Sequence, residues 1–534
     1  MNRQGRILIV EDLEKWRDEV GASLRRAGFH VDAVASTAEA LARMEGDFYH
    51  LMVLDIRMEE SEPENEEGME LLRKLNEHGE AMQIMVLSGH STPEQMREAF
   101  RDFDVADFIV KENFNNDVFA AQVSETLSKS RTKLDLKIHW EPETGLADSV
   151  INLSLGSSRV KRDTALQKLV AEELDDLLCR LFFQADSLLV RPLAPGTSGA
   201  GVLWVQPFYQ TGAGRSVVVK FGDVEKIEKE YANFLEYVQP FVGGGRCTTV
   251  LALRRTLHLG GIEYSLLGAA DDHIEDFDVF YCRSDIDEIR PVLDRLFTHT
   301  CGDWYANLGK LMPHDLTDDY QALLALSLER LEKTLPENLK SVQGKRDLHF
   351  KSLSGNASFS NPILALGSHH LRRPTYVCTT HGDFSEHNIL VDSTGQTWLI
   401  DFLRTGRGHV LRDVAQLDSV VRLHLLAAED ASLDERLEME KALCGIERFS
   451  QVEQLSSGFT TDNKALAKTF ATVVHLRTIA RRLVAQNPRD EINEYYIALL
   501  YYALNTIRFM EALRTVQREH ALLCASLLAD RLGL

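Results

Sequence analysis

The sequence predicts an α/β protein built from two blocks, a doubly wound (βα)5 sheet followed by an α+β domain whose C-terminal part is helical. Three observations predict it. Five short apolar runs alternate with helical patterns over residues 1–127. Apolar strands separated by Gly-rich turns occupy residues 188–223, and helical periodicity prevails beyond residue 410. The alternation of strands and helices over residues 1–127 indicates a parallel sheet covered by helices on both faces.

The first block divides into five strand–helix pairs. Its strands are expected at Ile7–Val10, Val31–Val34, Leu51–Leu54, Ile84–Leu87 and Phe108–Val110. Its helices are expected at Glu14–Ala27, Thr37–Met44, Gly68–His78, Pro93–Phe103 and Val118–Leu127. Thr37 and Thr92 stand where helix N-caps are expected, and Pro93 then occupies a favourable first helical position.

Polar residues stand at the carboxyl ends of these strands. Strand one runs into Glu11 and Asp12, strand three into Asp55, strand four into Ser88 and strand five into Lys111. Ligands of open parallel sheets bind at this edge. Three carboxylates there would repel one another unless a divalent cation lay among them, and oxygen-only ligands suit Mg²⁺. Asp55 could then attack a phosphoryl donor, with Ser88 and Lys111 contacting the transferred oxygens.

On this set of residues, the segment from residue 5 to about 127 resembles the receiver domain of two-component systems. The resemblance implies that Asp55 is the phosphoacceptor, that Glu11, Asp12 and Asp55 hold the metal, and that Ser88, Phe108 and Lys111 are the switch hydroxyl, the switch aromatic residue and the phosphate-contacting lysine. Two features depart from the family. Glu112 stands where proline is usual, and the acidic run EESEPENEE over residues 59–67 lengthens the loop after Asp55. We interpret the run as a solvated loop.

The composition excludes several classes of function. The chain has 534 residues, of which 44% are hydrophobic and 26% charged, as in soluble globular proteins. A net charge of −22 argues against nucleic-acid binding. No run approaches the roughly 20 apolar residues of a membrane span. Neither a signal-peptide layout nor a CxxC pair occurs, so a cytoplasmic protein without zinc sites or disulfides is expected.

Residues 128–187 are predicted to connect the two blocks. SKSRTK over residues 128–133 is polar and basic, as is typical of a linker, and Leu134–Trp140 is a candidate strand. Thr164–Phe183 has the periodicity of an amphipathic helix. We favour packing of this helix against the second block over binding of a partner.

The second block, residues 188–534, begins with features of a nucleotide site. The glycines of a turn at residues 194–201 would let backbone N–H groups approach phosphates. Lys220 ends an apolar strand and could pair with Glu230, or alternatively with Glu228, on the predicted helix Val224–Tyr237. Such an ion pair would hold the lysine against the phosphates. The candidate nucleotide-binding residues are Gly196, Ser198, Gly199, Gly201, Lys220 and Glu230.

A second motif occupies residues 380–402, THGDFSEHNILVDSTGQTWLIDF. Asp383 stands five residues before Asn388. A predicted hairpin of strands Ile389–Val391 and Thr397–Ile400 would bring Asn388 and Asp401 together as metal ligands. Asp383 would then stand beside them to orient or deprotonate an acceptor hydroxyl.

This motif resembles the catalytic loop and metal-binding segment of the aminoglycoside phosphotransferase and choline kinase group of kinase-like enzymes. The resemblance spans about residues 190–520 and is loose outside the motif. It implies an N-lobe at about 188–270 and a C-lobe at about 271–534. The implied roles are catalytic base for Asp383, Mg²⁺ ligand for Asn388 and Asp401, phosphate contact for Lys220, a structural role for Asp413 and loop orientation for His381.

Two further elements follow from the order along the chain. A hinge that contacts adenine is expected at Tyr264–Ala270. Beyond it, long helices are expected at Asp413–Ala428, Thr460–Gln486 and Glu494–Leu528. Histidines within these helices, such as His475 and His520, are interpreted as ordinary helix residues, not as metal ligands.

The two resemblances together predict a signalling protein in which phosphorylation of Asp55 regulates an ATP-dependent phosphotransferase. The expected cofactors are Mg²⁺ in both domains and ATP. The expected partners are a histidine kinase or phosphotransfer protein as donor, an unidentified kinase substrate, and a second copy of the chain through the receiver. Two alternatives stay open: a non-catalytic nucleotide-binding module whose receiver drives assembly, and a protein kinase or nucleotidyl-transferring enzyme, since kinase-like folds host several chemistries.

Overall fold

The structure is a computed structural model that describes most of the chain. The described residues are 4–58, 67–76, 81–89, 92–156, 158–193, 199–242, 248–265, 274–335, 339, 343–367, 369–508 and 514–534. The chain divides into two compact units, the first formed by residues 1–231 with 249–266 and the second by residues 232–248 with 267–534. Most of the acidic run, the turn residues Gly196 and Ser198, and the greater part of the expected hinge lie outside the described residues.

The first unit opens with a five-stranded parallel sheet. Its strands are β1 (Arg6–Val10), β2 (His30–Val34), β3 (Leu51–Leu54), β4 (Gln83–Ser88) and β5 (Asp107–Val110), in the order β2-β1-β3-β4-β5. Its helices are α1 (Glu14–Arg26), α2 (Thr37–Gly46), α3 (Glu67–Asn76), α4 (Pro93–Asp102) and α5 (Asn116–Lys129). Because successive strand residues face opposite sides, Leu8 and Val10 join one hydrophobic cluster while Ile7 and Ile9 join the other. The predicted doubly wound fold is confirmed.

Of the two helix N-caps predicted in this block, one is confirmed. Thr92 caps α4 as predicted, since its hydroxyl accepts from the Gln95 backbone N–H at 3.2 Å and the Gln95 side chain bonds back to Thr92. The N-cap prediction at Thr37 is wrong. Ser36 has the extended backbone of a cap and accepts from the Glu39 N–H at 3.2 Å, so Thr37 is the first helical residue. Either hydroxyl can cap a helix, and the sequence does not say which backbone is extended.

A second sheet follows in the same unit. The chain runs through β6 (Lys137–Trp140), α6 (Gly145–Val150), β7 (Ser154–Leu155), β8 (Ser158–Arg159) and α7 (Thr164–Leu181). It continues through β9 (Ser187–Pro192), β10 (Gly201–Tyr209), β11 (Gly212–Ala213), β12 (Val217–Asp223), α8 (Val224–Asn233), β13 (Val250–Arg255) and β14 (Leu259–Ser265). The strand order is β13-β14-β12-β10-β9-β6, with β11 paired to β10. Because β6 pairs in parallel with β9, this sheet begins inside the predicted connecting segment, before the expected boundary at residue 188.

Helix α7 covers one face of the second sheet. Its apolar residues Leu174, Leu177 and Leu178 are fully buried in a cluster with the strands. The contact is close, because a Cβ added at Gly261 on β14 would lie 2.9 Å from a methyl group of Leu177. Asp163 caps the helix by accepting from two backbone N–H groups of its first turn. The predicted helix and its predicted packing against the second block are therefore both confirmed.

The second unit contains small sheets and many helices. Its strands are β15 (Ile274–Asp276), β16 (Met312–Asp315), β17 (Asp347–Leu348), β18 (Phe359–Ser360), β19 (Arg372–Thr375), β20 (Val377–Thr380), β21 (Ile389–Asp392), β22 (Thr397–Leu399) and β23 (Gly406–His409). They pair as β15-β21-β22, β16-β19, β17-β18 and β20-β23. Its helices are α9 (Phe277–Arg283), α10 (Ile286–Arg295), α11 (Gly302–Ala306), α12 (Leu316–Leu324), α13 (Leu328–Lys333), α14 (Pro362–Leu366), α15 (Arg412–Val420), α16 (Leu433–Leu443), α17 (Val452–Leu455), α18 (Lys464–Leu483), α19 (Asn493–Thr506) and α20 (Thr515–Leu532).

The long helices of the second unit differ in part from the predictions. The helix expected at Thr460–Gln486 is present as α18. The helix expected at Asp413–Ala428 is α15 continued by a π-helical turn over Val421–Leu425. A single helix over Glu494–Leu528 is wrong, because α19 and α20 are separate helices that pack on each other. In the described part of the chain, no helix is long and apolar enough to cross a membrane.

Candidate functional site

The carboxyl edge of the five-stranded sheet brings the predicted receiver residues together. Asp55, directly after β3, is buried, and its Oδ1 accepts hydrogen bonds from the Ser88 hydroxyl at 2.9 Å and from the Arg57 backbone N–H at 3.0 Å. Its Oδ2 lies 2.6 Å from Lys111 Nζ, which also lies 2.8 Å from Glu11 Oε1. One carboxylate is thus held by a hydroxyl, a backbone amide and an ammonium group.

The acidic residues of this edge form a cluster suited to a cation. Ligand oxygens of Glu11, Asp12 and Asp55 all lie within 4.8 Å of one another. Burial raises the pKa of Glu11 to about 7 against the opposing effect of Lys111, and burial together with the Asp55 charge raises the pKa of Asp12. Asp12 Oδ1 is buried and has no hydrogen-bond partner in the part of the chain that the structure describes. A buried orphan oxygen beside two further carboxylates fits Mg²⁺, which takes oxygen ligands and would offset their repulsion.

The loop after β5 reaches the site without the usual proline. Residues Lys111–Asn113 form a 3-10 turn that begins directly at the strand end, and the Phe114 N–H closes it on the Lys111 carbonyl at 3.2 Å. The lysine ammonium is thereby placed on the phosphoacceptor although Glu112 follows it. The predicted switch residue Phe108 is partly buried on β5, and its ring centroid lies 6.4 Å from that of Phe100, which is 45% exposed.

Two residues of α1 complete this edge and were not predicted. Arg17 donates to the backbone carbonyls of Glu11 and Asp12 at 2.8 and 2.9 Å. The ring of Trp16 lies 5.3 Å from Lys111 Nζ, within cation–π range. The sequence could have pointed to both residues through their position in the first turn of the helix that follows Glu11 and Asp12. From there, side chains can fold back over the strand ends.

Gly68 offers a test of how tightly the Asp55 loop is built. A Cβ added at Gly68 would lie 2.3 Å from Ile56 Cα and 2.5 Å from the Asp55 carbonyl oxygen. Since both neighbours are backbone, we expect Gly68→Ala to displace the loop and to lower the free energy of unfolding by about 1–3 kcal/mol. Misplacement of the nucleophile should slow phosphorylation by acetyl phosphate about 10²-fold.

The matched control is Gly46→Ala at the end of α2, where an added Cβ meets no atom of the described residues within 4 Å. Urea unfolding and the rate of phosphoryl incorporation are measured for both variants. If Gly68→Ala incorporated phosphoryl groups at the wild-type rate, the loop would not need this close contact.

The second sheet carries the predicted lysine and its partner. Lys220 Nζ on β12 lies 2.7 Å from Glu230 Oε2 on α8, and the Tyr264 hydroxyl donates to Glu230 Oε1 at 2.8 Å. Lys220 and Glu230 are buried. The predicted pairing with Glu230 is present, whereas the alternative, Glu228, pairs with Arg255 at 2.5 Å.

Gly199, before β10, and Gly201, the first residue of β10, are each explained by local structure. Gly199 adopts a left-handed backbone with a φ of +76°, and an added Cβ would lie 3.1 Å from the Ser154 hydroxyl. At Gly201, a Cβ would lie 2.3 Å from the Phe221 ring. Packing alone therefore explains why Gly201 has no side chain, and the predicted role of these glycines in phosphate binding stays a prediction.

In the second unit, the HGD loop is anchored by a buried carboxylate. Asp413 accepts from the backbone N–H groups of His381 at 2.8 Å and Gly382 at 3.0 Å, and from the Tyr305 hydroxyl at 2.9 Å. Gly382 has a φ of +78°, and an added Cβ would lie 2.3 Å from the Arg404 carbonyl oxygen. Asp413 thus lies where its predicted structural role places it. Its distance from the loop along the chain gives no sign of these contacts.

The loop side chains converge beside the β21–β22 hairpin. Asp383 Oδ1 accepts from the Gln416 amide at 3.2 Å, and Gln416 in turn accepts from the Phe384 backbone N–H at 2.7 Å. The Asn388 amide donates to the Asp383 carbonyl at 2.9 Å. The backbone N–H of Ile400 donates to the Asn388 carbonyl at 3.1 Å, which places Asn388 next to the segment that carries Asp401.

This arrangement fits the predicted chemistry of the loop. His381 contacts the Ile400 carbonyl through Nε2 at 3.0 Å, so it orients the loop as expected. Asp401 adopts the left-handed region with a φ of +66°, a strained conformation for a residue other than glycine. An amide and a carboxylate are oxygen donors suited to Mg²⁺. Gln416, which sequence reasoning missed, holds Asp383 in position from α15.

Comparisons with known proteins assign a family to each block. Residues 7–123 match the response regulator receiver domain family. Residues 185–349 and 339–508 match the family described as ternary complex associated domain 9, and these matches together extend over more than half of the chain.

The similar curated proteins resemble the receiver block. An NtrX-like response regulator of Rickettsia conorii is 30% identical over 134 residues, which is 24% of this chain and 27% of the relative. The C4-dicarboxylate transport transcriptional regulatory protein DctD of Rhizobium meliloti is 30% identical over 105 residues, 20% of this chain and 22% of the relative. The chain thus spans about a quarter of the length of these curated relatives.

Solved structures resemble the same block. A CheY-like receiver domain protein from Methanospirillum hungatei is 26% identical, with a TM-score of 0.22 over 24% of this chain and 96% of that chain. NtrX from Brucella abortus is also 26% identical, with a TM-score of 0.22 over 24% of this chain and 28% of that chain. On the family matches and the geometry of the Asp55 site, the chain belongs to the ternary complex associated domain 9 family and carries a response regulator receiver domain over residues 7–123.

Proposed function

We propose that the protein is a two-component signalling protein in which phosphorylation of Asp55 regulates an ATP-dependent phosphotransferase with a two-lobed, kinase-like fold. The observation that carries the enzymatic part is the anchored HGD loop. Its backbone is fixed by buried Asp413, its Asp383 carboxylate is oriented by Gln416, and Asn388 bonds to it. If the acidic residues of this hairpin occurred there by chance, no buried carboxylate would be needed to fix the turn that carries them.

The receiver reaction follows from the geometry at Asp55. A histidine kinase or phosphotransfer protein supplies a phosphohistidine, whose P–N bond breaks as a P–O bond to the Asp55 carboxylate forms. Mg²⁺ held by Glu11, Asp12 and Asp55 would neutralise charge on the phosphoryl oxygens. Lys111 and Ser88 already contact the two oxygens of Asp55. On phosphorylation, the Ser88 hydroxyl donates to a phosphoryl oxygen in place of the carboxylate and Phe108 repacks, on a face through which two copies of the chain would pair.

The proposed transfer reaction uses the loop of the second unit. Asp383 accepts the proton of an acceptor hydroxyl as its oxygen attacks the γ-phosphorus of ATP, and the bond to the β,γ-bridging oxygen breaks to release ADP. Mg²⁺ bound by Asn388 and Asp401 would supply charge neutralisation at the phosphates. Lys220, fixed by Glu230, contributes a cation for the nucleotide phosphates. The acceptor is unassigned.

A physical connection within the first unit supports regulation by the receiver. His50, at the start of β3, lies 2.8 Å from Asp176 on α7, and both side chains are buried. Arg180 on α7 lies 2.8 Å from Asp176 and donates to the Ala81 carbonyl of the receiver at 2.8 Å. Arg6 on β1 pairs with Glu172 on the same helix. A movement of the receiver strands therefore acts directly on the helix that packs against the sheet carrying Lys220.

The test is ATP consumption by the full chain with and without beryllofluoride, which mimics a phosphoryl group on aspartate. We expect beryllofluoride to change the wild-type rate by a factor of about 5–150, the usual range of coupling between sites. Asp55→Ala should keep the unstimulated rate and lose the response. Equal rates for both proteins in both conditions would refute regulation through Asp55.

A second candidate function is a non-catalytic nucleotide-binding module whose receiver drives assembly. The description of the matching family, which refers to a ternary complex, favours it. Nucleotide binding without turnover, unchanged in Asp383→Ala, would support this candidate against the first. Mass analysis of the products would separate phosphoryl transfer from nucleotidyl transfer if turnover occurs.

A further inference from the structure

A pocket of about 510 Å³ lies within the first unit, between the receiver and the second sheet. Eleven of the residues that the structure describes line it; six of these are basic and five are uncharged. We call this cavity the basic pocket. Its basic residues are His50, Lys129, Arg131, Arg180, Arg254 and Arg255. Acids outnumber basic residues in this chain, 81 Asp and Glu against 59 Lys and Arg, so a cavity whose described lining carries basic residues and no acidic ones needs a specific reason.

Part of this positive charge is compensated outside the pocket. Arg180 pairs with Asp176 at 2.8 Å, and Arg255 pairs with Glu228 at 2.5 Å. Lys129 pairs with Glu125 on the exposed surface of α5. The Arg255 Nε atom is nevertheless buried without a hydrogen-bond partner among the described residues, which is costly inside a protein.

Two arginines carry charge that the described residues do not neutralise by an ion pair. Arg131 stacks on the Phe183 ring at 5.8 Å, and Arg254 donates to the adjacent Leu253 carbonyl at 2.8 Å. Glu263 is a carboxylate that interacts electrostatically with Arg254. Burial raises the pKa of Glu263 to about 7, so near neutral pH this counter-charge is only partly present.

The backbone at Arg131 gives a second, independent indication. Arg131 follows the C-terminus of α5 and adopts the left-handed region with a φ of +52°. Glycine or asparagine is the usual residue where a helix ends in this conformation, and a bulky residue there costs about 1–2 kcal/mol. A strained residue that projects a guanidinium group beside a basic pocket is typical of a ligand site.

We propose that the basic pocket binds a small organic di- or triphosphate as an effector. Guanidinium groups recognise phosphate oxygens by paired, charge-assisted hydrogen bonds, and a volume of about 510 Å³ falls within the range of small-molecule sites. The ligand would bridge Lys129 at the end of the receiver helix α5, Arg131 of the connecting segment, and Arg254 and Arg255 of strand β13. It would thereby stabilise the docking of the receiver on the second sheet, independently of phosphorylation at Asp55 and of any transfer reaction.

The test is isothermal titration of the full chain with inorganic pyrophosphate at low salt. We expect saturable binding of one pyrophosphate per chain, weakened about tenfold or more in the double variant Arg131→Gln, Arg254→Gln because two charged donors are lost. The matched control is the double variant Arg26→Gln, Arg97→Gln, which removes two exposed arginines of the receiver outside the pocket. It should bind like the wild type.

Lys220→Met separates this site from the proposed nucleotide site and should also retain binding. The unfolding midpoint of each variant in urea establishes that the protein remains folded. Absence of saturable binding by the wild type, equal binding by the two double variants, or loss of binding only in Lys220→Met would each overturn the proposal. Failure here leaves the phosphotransferase proposal unaffected, because that proposal is tested by ATP consumption.

Discussion

Replacing Asp383 by asparagine is expected to lower the rate of ATP consumption about 10²–10⁴-fold while the fold is retained. The carboxylate would accept the proton of the acceptor hydroxyl, and an asparagine cannot. The substitution keeps the shape of the side chain and the contact of its Oδ1 with the Gln416 amide, which is 3.2 Å long in the structure. The expected loss is therefore in turnover, and nucleotide affinity should change little.

The control for this prediction is Asp303→Asn, which removes an exposed carboxylate on α11. Steady-state ATP consumption, nucleotide affinity and the urea unfolding midpoint are measured for both variants. We expect the control to match the wild type in all three. An Asp383→Asn protein that turns over ATP at the wild-type rate would remove Asp383 from the mechanism and favour the non-catalytic alternative.

The receiver site was predictable because a parallel sheet gathers distant residues by rule. The carboxyl ends of adjacent parallel strands meet at one edge, so Asp55, Ser88 and Lys111 had to converge once the strands were located. The observed contacts of 2.6 and 2.9 Å follow from that topology. Arg17 and Trp16 were not predictable in the same way, because their side chains return to the edge from a helix surface, where many directions are open.

The anchoring of the second site was predictable only in part. The HGD loop and the hairpin are local, so the sequence alone placed Asn388 beside the segment of Asp401. Gln416 lies more than 30 residues from Asp383 along the chain, and its role depends on how α15 packs under the loop. Tyr305 is more distant still from its partner Asp413. Neither residue type has a spacing that signals such a contact.

The contacts of the connecting segment, residues 128–187, were also predictable only in part. Its helical periodicity predicted α7 and the apolar face that packs on the second sheet. Asp176, a polar residue of the same helix, lies buried against His50 of the receiver. Amphipathic spacing states which face is apolar. It does not state whether the polar face meets water or another buried charge.

The core of the second unit contains a buried network of charges around Asp418. Arg422 Nε lies 2.5 Å from Asp418 Oδ1, and Arg477 Nε lies 3.2 Å from Asp418 Oδ2. The Tyr495 hydroxyl also donates to Oδ2 at 2.9 Å. Arg422 has a second carboxylate, Glu440, at 2.7 Å. In the described part of the chain, Asp418 is the carboxylate that pairs with Arg477.

Asp418→Asn is expected to lower the free energy of unfolding of the second unit by about 3–5 kcal/mol, because it leaves the Arg477 charge buried without a counter-ion. Urea unfolding followed by far-ultraviolet circular dichroism measures the change. The control is Asp462→Asn, which alters an exposed carboxylate in the same unit and should shift the free energy by less than about 0.5 kcal/mol.

A double variant identifies the physical cause of the loss. If the uncompensated Arg477 charge is responsible, adding Arg477→Met to Asp418→Asn should recover part of the stability, since removing both partners of a buried ion pair costs less than removing one. The Arg422–Glu440 pair stays intact in this background. Strictly additive losses in the double variant would show that the cost comes from packing around each side chain and not from the buried charge.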